Sequence, residues 1–221
     1  MTKFTTLALA VLVLSLWLGA CSSTKEEITE PALTDAEGYV YKTVTIGNQV
    51  WMAENLRTRK TPQNTDLTGV SVYAGSESYI TPCGLLYTHA AAEAACPSGW
   101  HLPTDADWIE LETHLGMPSS ESEAVGYRGV DQSIGGKLKA VDTQWASPNT
   151  GATNITGFNA FSSGRKQGAS YTNYRLSAYF WTSTASGDLK IYRMLSNDNA
   201  GIWRYTESPE TGYSVRYVKN K

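Results

Sequence analysis

Residues 95–108 read Ala-Cys-Pro-Ser-Gly-Trp-His-Leu-Pro-Thr-Asp-Ala-Asp-Trp. The stretch carries a cysteine, a histidine, two acids and two tryptophans, and its order is that of a hinge between two helices. Upstream, Thr88 can cap a helix through Ala95, in which the alanines at 90, 91, 92, 94 and 95 are strong helix formers. Downstream, Pro103 precedes Thr104 as N-cap, and Asp107 at the third helical position makes an aspartate version of the capping box. Trp108, Leu111 and Leu115 then fall at i, i+3 and i+7 on one apolar stripe, which Gly116 and Pro118 end. Between the helices Gly99 turns the chain, while Trp100 and Leu102 point to the core.

The rest of the chain is strand-like. Tyr39–Ile46 and Gln49–Met52 flank Gly47-Asn48, the pattern of a hairpin. Residues 58–80 read as a long polar loop with a brief strand near Val70–Tyr73, and Leu85–Tyr87 as a short strand. Residues 118–156 are loop-rich, with a short helix near Gly135–Ala140. Beyond them come candidate strands at Phe158–Phe161, Tyr179–Thr184, Lys190–Leu195, Gly201–Tyr205 and Tyr213–Val218. Two helices followed by a run of short strands predict an α+β domain over residues 38–221, a normal size for one core.

The first residues read as a processing signal. Lys3 precedes a mostly apolar run, Leu7 to Leu18, that is too short to span a bilayer, where about 20 residues are needed. Leu18-Gly19-Ala20-Cys21 resembles a bacterial lipobox, so residues 1–20 are expected to be cleaved and Cys21 to carry lipid. Residues 21–37 form a polar, acidic tether, and Lys25-Glu26-Glu27 resembles a surface-export signal of lipoproteins. The expected location is the outer membrane, lipid-anchored, at the cell surface. A formal net charge of −3 without a basic block argues against nucleic acid as a partner.

Six blocks in order, "IGNQVWMAENLR" (46–57), "CGLLYTHAAAEAACPSGWHLPTDADW" (83–108), "GGKLKA" (135–140), "WASPNTGATNITGFNA" (145–160), "FWTST" (180–184) and "GYSVRYVK" (212–219), resemble the Fibrobacter succinogenes major paralogous domain family. The "GWHLPTDADW" block is also similar to a block of formylglycine-generating enzymes. That resemblance implies a C-type-lectin-like fold, two helices packed on a twisted, irregular antiparallel sheet with long loops. Formylglycine-generating chemistry needs paired thiols late in the domain, and no cysteine follows Cys96, so no catalytic residue and no cofactor is assigned.

Candidate site residues remain to be weighed. In an oxidising compartment Cys83 and Cys96 are expected to form a disulfide, two buried thiols being the alternative. His89, His101 and His114 lack the spacing of a metal site, and His101 reads as a structural hydrogen-bonding residue. Asp105, Asp107, Glu110 and Glu112 read as first-turn acids offsetting the helix dipole and as solvated side chains beyond it. Asn197-Asp198-Asn199 reads as a turn rather than a calcium site, and Gly135-Gly136-Lys137 lacks P-loop spacing. Tyr171 and Tyr174 read as residues of a polar loop and are the expected ligand-binding rings. The expected function is non-enzymatic binding of extracellular glycan or protein; a structural part of the envelope is the alternative, and a polysaccharide hydrolase ranks below both.

Overall fold

The computed structural model describes residues 33–221. The signal segment, Cys21 and the Lys25-Glu26-Glu27 motif lie outside the described residues. In chain order come β1 (Leu33–Thr34), β2 (Val40–Tyr41), β3 (Thr43–Ile46), β4 (Gln49–Met52), β5 (Val70–Ser71), the turn α1 (Ile80–Cys83), β6 (Leu86–Tyr87) and α2 (His89–Ala94). There follow β7 (Trp100–His101), α3 (Asp105–His114), β8 (Gly126–Arg128) and α4 (Ile134–Leu138). The last are β9 (Ser163–Gln167), β10 (Ser170–Tyr174), β11 (Ser177–Ser186), β12 (Leu189–Ser196), β13 (Ile202–Glu207) and β14 (Val218–Lys219).

The domain is α+β. A six-stranded sheet runs β10-β9-β11-β12-β13-β8, antiparallel except where β11 meets β9. A four-stranded sheet runs β3-β4-β14-β7, so the last strand sits between the first hairpin and the hinge stretch. The hairpin turns as expected at Gly47-Asn48, where Gly47 has a φ of +61° and Ile46 faces Gln49. One boundary moves. Leu33 and Thr34 pair with Tyr41 and Val40, and Leu33 is buried, so residues 33–37 of the expected tether belong to the fold. A lone leucine has no periodicity by which to be recognised.

Alternation along β11 divides the core in two. Tyr179 and Trp181 join Tyr87, Tyr213, Tyr217 and the alanines of α2. Ala178 and Phe180 point the other way, to Trp51, Trp108 and Phe158 under α3. Both helix starts are as expected. Thr88 accepts from the Ala91 amide, and Thr104 and Asp107 close the capping box. His101 ties this corner together, with Nε2 3.1 Å from Asp107 and Nδ1 2.8 Å from the Asn220 side chain.

The glycine pair of "GGKLKA" has a steric cause. A methyl on Gly135 would run into the Gly201 carbonyl, and one on Gly136 into the Gly151 carbonyl. α4 therefore lies directly against two backbone segments, and overpacking of this kind costs about 1–3 kcal/mol. Gly135→Ala is expected to lower the denaturation free energy by that amount in a urea titration.

Candidate functional site

Tyr171 and Tyr174 stand on a strand, not in a loop. Gln167 faces Ser170 across Gly168-Ala169, and Gly168 supplies the positive φ, +57°, that a two-residue hairpin needs. Residues three apart on a regular strand point to opposite faces. Here Asn173 and the facing Gly164 both take left-handed φ values, +64° and +65°, which twist the ribbon. Both rings thereby reach Tyr73, with centroids 5.4 Å (Tyr171) and 5.2 Å (Tyr174) away.

Tyr79 completes the group, 5.3 Å from Tyr73 and 5.0 Å from Tyr174. All four rings are half-buried. Tyr73 and Tyr79 sit on 3-10 turns inside the stretch read as polar loop, where two large rings among Gly and Ser were the available signal. Partial burial pushes the phenols of Tyr73 and Tyr174 up, so both stay protonated at neutral pH. The arrangement offers apolar ring surface with hydroxyl groups at its edge.

The other candidates serve the frame. Cys83 and Cys96 are free thiols, not a disulfide. The Cys83 carbonyl is held by Asn55 and Ser163, whereas Cys96 lies beyond α2 with its Sγ 3.2 Å from the Trp100 carbonyl. Between them lie β6, which pairs with β5, and α2. Burial pushes each thiol up to about 11, which keeps it unreactive at neutral pH. His89 is buried with Nε2 2.9 Å from the Thr182 carbonyl and its ring edge-on to Trp181. His114 packs beside Gly47. Asn197-Asp198-Asn199 is the turn between β12 and β13, where the Asn199 carbonyl accepts from the buried Lys139 ammonium at 2.9 Å.

The acids of α3 do not all face water. Glu112 is wholly buried and bonds Arg193 Nε at 2.6 Å and Arg128 at 2.8 and 3.0 Å. Asp105 takes Arg193 at 2.7 Å and Arg204 at 2.7 and 2.9 Å. The signal was in the spacing, because Asp105, Trp108, Glu112 and Leu115 share one helical face.

A second buried polar centre joins the first and last sequence blocks. The Arg216 guanidinium donates to Asn55 Oδ1 at 2.7 Å, to Asn159 O at 2.9 Å and to Met52 O at 3.2 Å, and also to Phe158 O. Asn55 passes its amide to Cys83 O and Ser163 Oγ. One arginine and one asparagine thus hold four separated segments. A model described as the Fibrobacter succinogenes major domain matches residues 44–219, a span that contains both centres. The chain belongs to that family. No curated protein and no solved structure matches it. In this Fibrobacter succinogenes major domain the motif residues Asn55, Trp108, Gly135 and Arg216 are the buried frame, while the tyrosine cluster lies outside the quoted blocks.

Proposed function

We propose that this protein is a non-enzymatic binding domain, anchored through lipid on Cys21 at the outer membrane and displayed at the cell surface, that holds extracellular glycan on its tyrosine cluster. The observation that carries the reading is the convergence of Tyr73, Tyr79, Tyr171 and Tyr174 at the surface with their rings half-exposed. Planar rings with hydroxyl rims suit the apolar faces and hydroxyl edges of sugars. A C-type-lectin-like frame is part of the reading. It is supported by two helices beside irregular antiparallel sheets and by the long connection from α4 to β9.

The test is retention of the full chain on insoluble polysaccharides. Ring contacts are worth roughly 0.5–1.5 kcal/mol each, so the Tyr171→Ala, Tyr174→Ala double variant is expected to bind about tenfold more weakly or worse. Unchanged binding by that variant would refute the reading. A structural part of a surface assembly is the second reading, favoured by Tyr205, which is 48% exposed beside the half-buried Trp203. A stable complex recovered by cross-linking, together with no glycan retention, would select it.

A further inference from the structure

Beside the tyrosine cluster lies a cleft of about 170 Å³ lined by Lys42, Glu54, Asn55, Arg57, Thr81 and Phe161, among others. The turn Ile80–Cys83 links the two features: it follows Tyr79 directly, gives Ile80 and Thr81 to the cleft, and its Cys83 lies near Tyr73 and Tyr174. Among the described residues, the Lys42 ammonium has no hydrogen-bond or ion-pair partner. The Arg57 guanidinium lies over the rings of Tyr39 and Tyr41, 4.8 and 5.5 Å from their centroids. Its side-chain nitrogens make no hydrogen bond there, and Nε is sealed from water without a partner. Stacking therefore fixes this arginine while leaving its donor edge uncommitted.

Among the residues lining the cleft, the cations Lys42 and Arg57 outnumber the one acid, Glu54. Asn55 forms part of its lining and carries the buried Arg216 on its side-chain oxygen. Arg216 is bonded only to neutral oxygens. The acid of the lining, Glu54, already accepts from the Lys42 amide at 2.9 Å and faces the Arg216 charge, and Asp35 is held on the hydroxyl of Tyr41, the ring beneath Arg57. Guanidinium donors match the planar geometry of a carboxylate, and an ammonium adds a point charge. Phe161 and Ile80 offer apolar surface beside them.

From this the geometry points to a subsite for a carboxylate carried on a sugar ring, so that the glycan bound is a uronic-acid polysaccharide. The inference rests on the glycan-binding reading and narrows it to acidic chains. Lys42 and Arg57 hold the carboxylate while the neighbouring tyrosines take adjoining rings.

The test compares binding of the purified full chain to polygalacturonate and alginate, to methyl-esterified polygalacturonate and to a neutral β-glucan. The acidic chains are expected to bind about tenfold or more tightly than the ester, with the preference shrinking as salt rises. Lys42→Gln and Arg57→Gln are each expected to remove most of that preference, and Arg57→Lys to restore part of it. Lys42 is exposed, so its variant tests the charge without disturbing the fold. Equal binding of acid and ester, or a preference that survives both glutamine variants, overturns the subsite. If neutral glycan is still held through Tyr171 and Tyr174 in that case, only the subsite falls. If no polysaccharide of either kind is retained, the glycan reading falls with it.

Discussion

Glu112→Gln is expected to destabilise the fold by about 3–5 kcal/mol, the range found when one partner of a buried ion pair is removed. Glu112 and Arg193 are both fully buried, and Arg128 is 1% exposed. The substitution keeps the shape of the side chain and removes the anion that bonds both arginines. Asp105 cannot take over, because its oxygens already serve Arg193 and Arg204. Burial works against the Asp105 charge, but the bonds from Arg204 and Arg193 outweigh it and hold that carboxyl below its ordinary range. Two guanidinium groups would be left facing a neutral amide. In a chain of this size each 1 kcal/mol moves the melting temperature by about 2–4 °C, so a fall of roughly 10 °C is expected. Urea denaturation of the variant measures it directly, and a loss under about 1 kcal/mol would show that the Glu112 charge is not what holds the two arginines. Glu110→Gln, on a half-exposed side chain paired with the more exposed Lys221, is the contrasting case and is expected to change stability by less than about 1 kcal/mol.

The local signals in the sequence translated well where they were local. The cap at Thr104, the hairpin at Gly47-Asn48 and the strands at Tyr179–Thr184 and Lys190–Leu195 each rest on neighbouring residues, and each is present. What was hidden depends on long-range partners. Phe158–Phe161 reads as a strand, yet Asn159 has a φ of +56° and the Phe158 and Asn159 carbonyls are taken by Arg216, some 57 residues away. With a guanidinium satisfying those carbonyls, no sheet partner is needed. The stretch 213–217 is likewise extended but serves several elements in turn, with Tyr213 bonding Tyr87 and the Val215 and Tyr217 carbonyls taking the Leu56 and Met52 amides. The site was half legible. Tyr171 and Tyr174 were visible as rings, but their polar neighbours disguised the strand, and no spacing linked them to Tyr73 and Tyr79 about a hundred residues earlier. The disulfide failed for the same reason, since two cysteines thirteen residues apart say nothing about the elements between them.

Alkali offers the largest effect short of mutation, because much of the core is tyrosine. Burial pushes the phenols of Tyr41, Tyr87, Tyr213 and Tyr217 far above their ordinary value and that of Tyr192 to about 12. Tyr87 and Tyr217 also donate their protons to carbonyls of Thr58 and Ala92 at 2.8 and 2.7 Å, bonds that ionisation would abolish. A phenol raised in the fold loses its proton first in the unfolded chain. Its stabilisation is therefore complete below about pH 10 and drains away as pH climbs toward the folded value. Each such group removes about 1.4 kcal/mol per pH unit, so five together approach about 7 kcal/mol per unit. Lys139 acts in the opposite sense. Burial, opposed by Asp198, lowers its ammonium to about 8, so it adds stability as pH rises from there to its ordinary value of 10.5; the buried Arg216, lowered to about 9, acts in the same sense, and the Cys83 and Cys96 thiols, raised to about 11, act against both. The net profile is nearly level up to about pH 10 and then falls steeply, exhausting the 5–15 kcal/mol typical of a domain within about two pH units. Tyrosinate absorbance and circular dichroism recorded on the same alkaline titration test this. Ionisation of the buried rings and loss of the fold are expected in one cooperative step, and full tyrosine ionisation near pH 10 with the fold intact would contradict it.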